Sequence, residues 1–166
     1  MTTILEALEN AEIFADLAQT EIDLIASIGR EMFYQYGDVI FEQGAISSDL
    51  YIIAAGRVDI QVTPDDPESH DLSDAQTVAA LRRGQSFGEM AMISEGARSA
   101  TTRAAENNTQ LIIIPREKLL LFCDNLPTLG YKLMRNMAAD LAFKLRQANV
   151  ELLSLTSGGE LGETPR

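Results

Sequence analysis

Residues 87–102 read Phe-Gly-Glu-Met-Ala-Met-Ile-Ser-Glu-Gly-Ala-Arg-Ser-Ala-Thr-Thr, and most of the chemistry in the chain is concentrated there. Gly88 lacks a Cβ, so a backbone turn at this point lets a ligand come close. Glu89 then opens a short helical turn, Met90 to Ile93, whose free N–H groups and dipole suit a phosphate. Arg98 follows nine positions after Glu89, with Ser99 beside it. Arginine presents a fork of donors matched to a phosphate, and serine adds a hydroxyl. Glu89 would repel a phosphate, so it must face a neutral group that donates hydrogen bonds, such as a sugar hydroxyl. One phosphate and one sugar hydroxyl outline a nucleotide. The residues alone leave a second reading open, in which Glu89 and Arg98 form an ordinary surface ion pair.

Such a site needs a frame. Ile4, Leu5, Leu8, Phe14, Leu17, Ile22, Leu24, Ile25 and Ile28 recur at spacings of three and four, which predicts helix over 4–31, with Gly29 as a stop. From Tyr34 to Pro115 short β-rich runs alternate with glycines: Val39–Phe41, Leu50–Ile53, Val58–Val62, Thr77–Leu81 and Leu111–Ile114. Gly37, Gly44, Gly56, Gly84 and Gly96 punctuate them, a pattern that predicts an all-β barrel or jelly roll flanked by helices. Pro64 to Gln76, with two prolines and five acidic residues, reads as a long mobile hairpin loop.

Helical spacing returns at Arg116. A short helix should run to Asn125 and end at Leu126-Pro127, because the residue before proline avoids helical geometry. A long helix then extends from about Thr128 to Leu155. Tyr131, Met134, Ala138, Leu141, Leu145, Ala148, Leu152 and Leu155 alternate at three and four along it, a heptad seam suited to a partner helix. The alternative is packing against its own barrel, for which Leu129, Leu133, Met137, Phe143 and Val150 offer apolar surface. The resulting division is one domain over 1–156 (helices 4–31, barrel 34–115, C-terminal helices 116–155) and a flexible tail over 157–166.

Composition narrows the function classes. With 13 basic against 25 acidic residues the net charge is −12, which disfavours broad contact with nucleic-acid phosphates. No signal peptide and no apolar run long enough for a membrane span is read, and the single cysteine excludes an internal disulfide. A cytoplasmic setting is the expectation. Cys123 reads as a core thiol, His70 as a solvated loop histidine, and Asp65, Asp66, Glu68 and Asp71 do not have EF-hand spacing. No nucleophile–base constellation or metal set is found, so neither enzymatic activity nor a metal is expected.

The run Phe87–Met92 followed by Arg98-Ser99-Ala100-Thr101 resembles the phosphate-binding cassette of cyclic-nucleotide-binding domains. That family is shared by catabolite-activator-like regulators, kinase regulatory subunits and cyclic-nucleotide-gated channels. The resemblance covers about residues 10–155. It implies an α+β, mainly β fold: an eight-stranded jelly-roll (double-stranded β-helix) barrel with N-terminal helices and a long C-terminal helix. It also implies that Glu89 holds the ribose 2′-hydroxyl and that Arg98 pairs with the cyclic phosphate. Gly88, Met90, Ala91 and Ser99 would complete the cradle, Phe87 and Ala100 flank it, and Val78 would lie near the purine. In the catabolite-activator branch a Thr-Ser pair on the long helix contacts adenine; alignment on Pro127 puts Lys144 and Leu145 there instead.

The expectation that follows is a regulatory module binding cyclic AMP or cyclic GMP, with cyclic AMP preferred, that signals through its hinge and long helix. It would form a homodimer along that helix and act on an unidentified downstream protein. Eleven residues follow Leu155 and no winged-helix segment is read in them, so a stand-alone module without a DNA-binding domain is expected. The alternative is a ligand-free structural or dimerisation module on the same fold.

Overall fold

The structure is a computed structural model that describes residues 1–63 and 75–157, the side chains of 155–157 excepted. Its elements are α1 (Ile4–Glu9), a 3₁₀ turn (Glu12–Phe14), α2 (Gln19–Ala26), β1 (Arg30–Tyr34), β2 (Val39–Phe41), β3 (Leu50–Ala55), β4 (Arg57–Val62), β5 (Gln76–Arg82), β6 (Ser86–Phe87), α3 (Glu89–Ile93), β7 (Thr101–Ala104), β8 (Thr109–Ile114), α4 (Arg116–Asn125) and α5 (Pro127–Ser157). The strands form two antiparallel four-stranded sheets ordered β1-β8-β3-β6 and β2-β7-β4-β5. This is the jelly roll expected from the sequence.

Strands β3 and β8 organise the interior. Side chains alternate across a strand, so an unbroken apolar run must meet two apolar environments. Leu50, Ile52, Ile112 and Ile114 point to one core, shared with Leu8, Ile13, Leu119, Leu129, Leu133 and Met137 of the helices. Tyr51, Ile53, Leu111 and Ile113 point into the barrel, against Val58, Leu81 and Phe87. Strands β3 and β8 of the first sheet are therefore buried on both faces, while its edge strand β1 is exposed. On the second sheet the edge strand β5 is largely exposed.

The helical reading of 4–31 needs correction. Apolar spacing runs through the segment, yet it folds as α1, a 3₁₀ turn and α2, and Arg30 and Glu31 already belong to β1. Thr3 and Glu6 close a capping box on α1, and the Asn10 amide donates back to the Glu6 carbonyl at its end. Asp16 takes a left-handed φ of 64° before α2. Strand β1 escaped the sequence reading because it lies at a sheet edge with Arg30 to Phe33 all exposed, leaving no alternation to see. β7 was missed because Thr-Thr-Arg-Ala has no apolar run, although Thr102 and Ala104 are buried. Residues 64–74 of the predicted acidic loop, with His70, and residues 158–166 of the tail lie outside the described residues.

The long helix docks through its first half. Leu129, Leu133 and Met137 are fully buried, Lys132 reaches Glu21 of α2 at 3.2 Å, and the Asn136 amide donates to the carbonyls of Ile13 and Ala15. From Leu145 to Ser154 every residue is exposed. Among the described residues, no helix is long and apolar enough to cross a membrane.

Ile112 is 0% exposed between β1 and β3, whereas Ile46 is 86% exposed in the β2–β3 connection. Ile112→Ala is expected to lose about 2–5 kcal/mol in urea unfolding. Ile46→Ala should stay within about 0.5 kcal/mol.

Candidate nucleotide site

The predicted cassette lies between β6 and β7, beside the β2–β3 connection. Its aromatic floor is continuous: Phe87 stacks on Tyr51 at 4.9 Å with planes 7° apart, and Phe41 leans on both. Gly88 follows with φ +87° and caps α3. A Cβ here would lie 2.8 Å from both Arg98 Nη1 and the Asp49 carbonyl, so glycine is required twice over, by conformation and by space.

Arg98 is 4% exposed. Its Nε donates to Ser47 Oγ at 2.8 Å, Nη2 to the Asp49 carbonyl at 2.9 Å and Nη1 to the Gly88 carbonyl at 3.3 Å. The guanidinium sits 4.1 Å above the Phe41 ring centroid, a cation–π contact. The backbone is clamped as well: Arg98 N–H donates to the Ala45 carbonyl and Gly44 N–H to the Arg98 carbonyl. Burial draws the guanidinium's proton affinity below its ordinary value, and Tyr51, Asp49 and Glu89 offset part of that. The same burial raises the Tyr51 phenol, against the pull of Arg98. Among the described residues no carboxylate forms a salt bridge with Arg98. Among the described residues it is a buried cation with no directly paired carboxylate, although the charges of Asp49 and Glu89 favour it.

Glu89 is 5% exposed, and its partner is not Arg98. Lys144 of α5 places Nζ 2.8 Å from Glu89 Oε1, 2.9 Å from the Ser86 carbonyl and 2.7 Å from Asp140 Oδ2. Burial works against the Lys144 charge, but the two carboxylates outweigh it and the net shift is upward. Glu89 Oε2 is buried and makes no hydrogen bond among the described residues. The surface ion pair left open by the sequence is therefore not what this fold builds.

The other predicted residues divide by exposure. Ala91 and Ala100 are buried beside the cassette, Met90 and Ser99 are exposed with Ser99 Oγ 3.6 Å from Met90 Sδ, and Val78 stands exposed on β5. Sequence reasoning missed Ser47, Asp49, Tyr51, Phe41 and Asp140. Two of these reach Arg98 through a carbonyl or a loop hydroxyl, which leave no pattern; only Asp140–Lys144 was visible, as an ordinary i, i+4 pair. Cys123 is half-buried against the helical core, and burial pushes its thiol up, away from reactivity. Among the described residues no group of three or more His, Cys, Asp and Glu could hold a metal ion.

A glycine-capped turn, a buried arginine and a buried glutamate with one oxygen unbonded among the described residues thus meet beside β6 and β7 of a jelly roll. The family model for the cyclic nucleotide-binding domain matches residues 31–125, which include all of them. This chain belongs to the cyclic-nucleotide-binding domain family. The Cyclic AMP receptor protein of Thermus thermophilus is 36% identical over 145 residues, 87% of this chain and 62% of that protein. Human cGMP-dependent protein kinase 2 is 31% identical over 110 residues, 66% of this chain and 14% of the kinase. The chain therefore spans under two thirds of the receptor and a small part of the kinase. A cyclic nucleotide-binding domain from Methylobacillus flagellatus superposes with a TM-score of 0.77 at 25% identity, covering 98% of this chain and 85% of that one.

Gly88→Ala is expected to cost about 1–3 kcal/mol, since it forces a side chain into a left-handed φ against a carbonyl. Thermal unfolding should register this as a drop of roughly 2–4 °C per kcal/mol.

Proposed function

We propose that this protein is a non-enzymatic sensor of a cyclic nucleotide, with cyclic AMP the preferred ligand, that reports occupancy through its hinge and C-terminal helix. The observation that carries the reading is Arg98, a guanidinium 4% exposed with no counter-ion among the described residues. Holding a cation in that state costs several kcal/mol, and an anionic ligand would offset the cost. Among the described residues three of its five N–H groups are engaged in hydrogen bonds, so the fork keeps donors for a phosphate. Glu89 Oε2, an acceptor only, suits a sugar hydroxyl. Gly88, Met90, Ala91 and Ser99 would complete the cradle and Val78 would stand toward the purine.

The relatives support both purines. The bacterial one, named for cyclic AMP, shares more of this chain than the kinases named for cGMP, and this favours cyclic AMP. By the alignment on Pro127, Lys144 and Leu145 would stand where the catabolite-activator branch has its adenine-reading pair, so that adenine contact is missing here or rebuilt from other residues. A cytoplasmic location accords with the reading. The message would travel as a population shift: ligand at the cassette favours one position of α4 and α5 over another.

The partner would be a second copy, joined along α5. Tyr131 and Leu145 of the heptad seam are 68% and 62% exposed, and Ala138 and Ala148 are exposed too, while Met134 packs against the chain's own core. Leu145→Glu is then expected to shift sedimentation from dimer to monomer, and an unchanged dimer would exclude the seam.

For the ligand, titration calorimetry with cyclic AMP and cyclic GMP is the direct test. At about 100 times Kd, binding should add about 2.7 kcal/mol, or roughly 5–10 °C in melting temperature. Arg98→Ala should abolish that shift. If neither nucleotide binds the parent protein, the sensor reading fails and a ligand-free dimerisation module takes its place.

A further inference from the structure

Lys144 lies outside the cassette in sequence, yet its ammonium is the group that touches Glu89. The ammonium donates to the Ser86 carbonyl of β6 and to Glu89 Oε1 of α3, and it lies 2.7 Å from Asp140 Oδ2 of α5 itself as an ion pair. Seven residues separate Lys144 from Met137, two helical turns, so it projects from the face of α5 that carries the buried Leu129, Leu133 and Met137. It is also the last residue of α5 before the run of exposed positions begins at Leu145.

The two oxygens of Glu89 are consequently inequivalent. Oε1 is held by a charge-assisted bond, while Oε2 is buried and unbonded among the described residues. We infer that Lys144 is the positioning residue for sugar recognition: it fixes the Glu89 carboxylate by Oε1 so that Oε2 is presented, charged and oriented, to a ligand hydroxyl. Without the ammonium, the carboxylate loses the contact that holds Oε1 and is free to turn. That change removes the aimed acceptor. The anchor is itself preset, because a hydrogen bond to the Ser86 carbonyl and the ion pair with Asp140 one turn earlier hold Lys144 in place. The inference rests on the cyclic-nucleotide reading above and adds to it the residue that sets ribose selectivity.

A structural role for Lys144, as a bolt between α5 and the barrel, would weaken all ligands alike. A positioning role weakens only those that carry the hydroxyl. The test is titration calorimetry of the full chain with cyclic AMP and its 2′-deoxy analogue, on the parent, Lys144→Met and Lys144→Arg, with the cyclic GMP pair as a second set. The parent should prefer the ribose form by roughly tenfold or more, the value of one hydrogen bond to a charged group. In Lys144→Met that preference should fall below about threefold, with affinity for the 2′-deoxy form changed by less than about threefold. Lys144→Arg should recover most of the preference. If Lys144→Met does not fold, Lys144→Gln, which keeps a donor and loses the charge, carries the same comparison and the preference should again fall. An unchanged ribose preference in the lysine variants, or none in the parent, overturns the inference while leaving nucleotide binding intact. Failure of the parent to bind any of the four nucleotides instead overturns the ligand reading, and this inference with it.

Discussion

Strands β3 and β8 are apolar on both faces, and the rest of the molecule answers to that constraint. A strand that alternates Leu50, Ile52 on one side with Tyr51, Ile53 on the other needs two covers. The second sheet supplies one and the helices supply the other. Each fully buried aliphatic side chain contributes about 1.5–3 kcal/mol relative to exposure, so the helices that cover the outer face are held by the sheet rather than by propensity alone. Leu129, Leu133 and Met137 lock α5 at one angle, and two turns further that angle brings Lys144 to Glu89. The apolar packing of the first half of α5 thus sets the electrostatics of its middle.

The charges around the cassette are distributed unevenly. Glu89 has a cation at 2.8 Å, and that cation has a second carboxylate at 2.7 Å. Arg98 has carbonyls, a serine hydroxyl and an aromatic face, but no carboxylate in salt-bridge contact among the described residues. Neutral acceptors satisfy the geometry of a guanidinium without cancelling its charge, and burial makes the difference expensive. An acid already balanced and a base left unbalanced together favour a ligand that carries negative charge toward Arg98 and a neutral hydroxyl toward Glu89. The chemistry read from spacing alone and the charge balance of the fold therefore point to the same kind of molecule.

Legibility followed the kind of signal each element carries. Val39–Phe41, Val58–Val62 and Leu111–Ile114 were readable because burial demands apolar runs, and α4 ended where Leu126-Pro127 said it should. The break-up of 4–31 was not readable: Ile13 and Phe14 keep helical spacing, and a 3₁₀ turn buries them just as well. β1 and β7 left little trace because one is an exposed edge and the other is built from threonine and alanine.

By itself the sequence determined which residue types stand in the cassette, that Gly88 precedes them, and that an apolar barrel with a long C-terminal helix must carry them. These are local properties of spacing and hydrophobic period. The tertiary structure alone decided whom each charge meets. Arg98 finds Ser47 and Asp49 across 51 and 49 positions, and Lys144 finds Glu89 and Ser86 across 55 and 58. Several of those partners are backbone carbonyls, which every residue possesses, so no choice of side chain announces them. Only the packing of α5 and the β2–β3 connection against the barrel brings them within bonding distance.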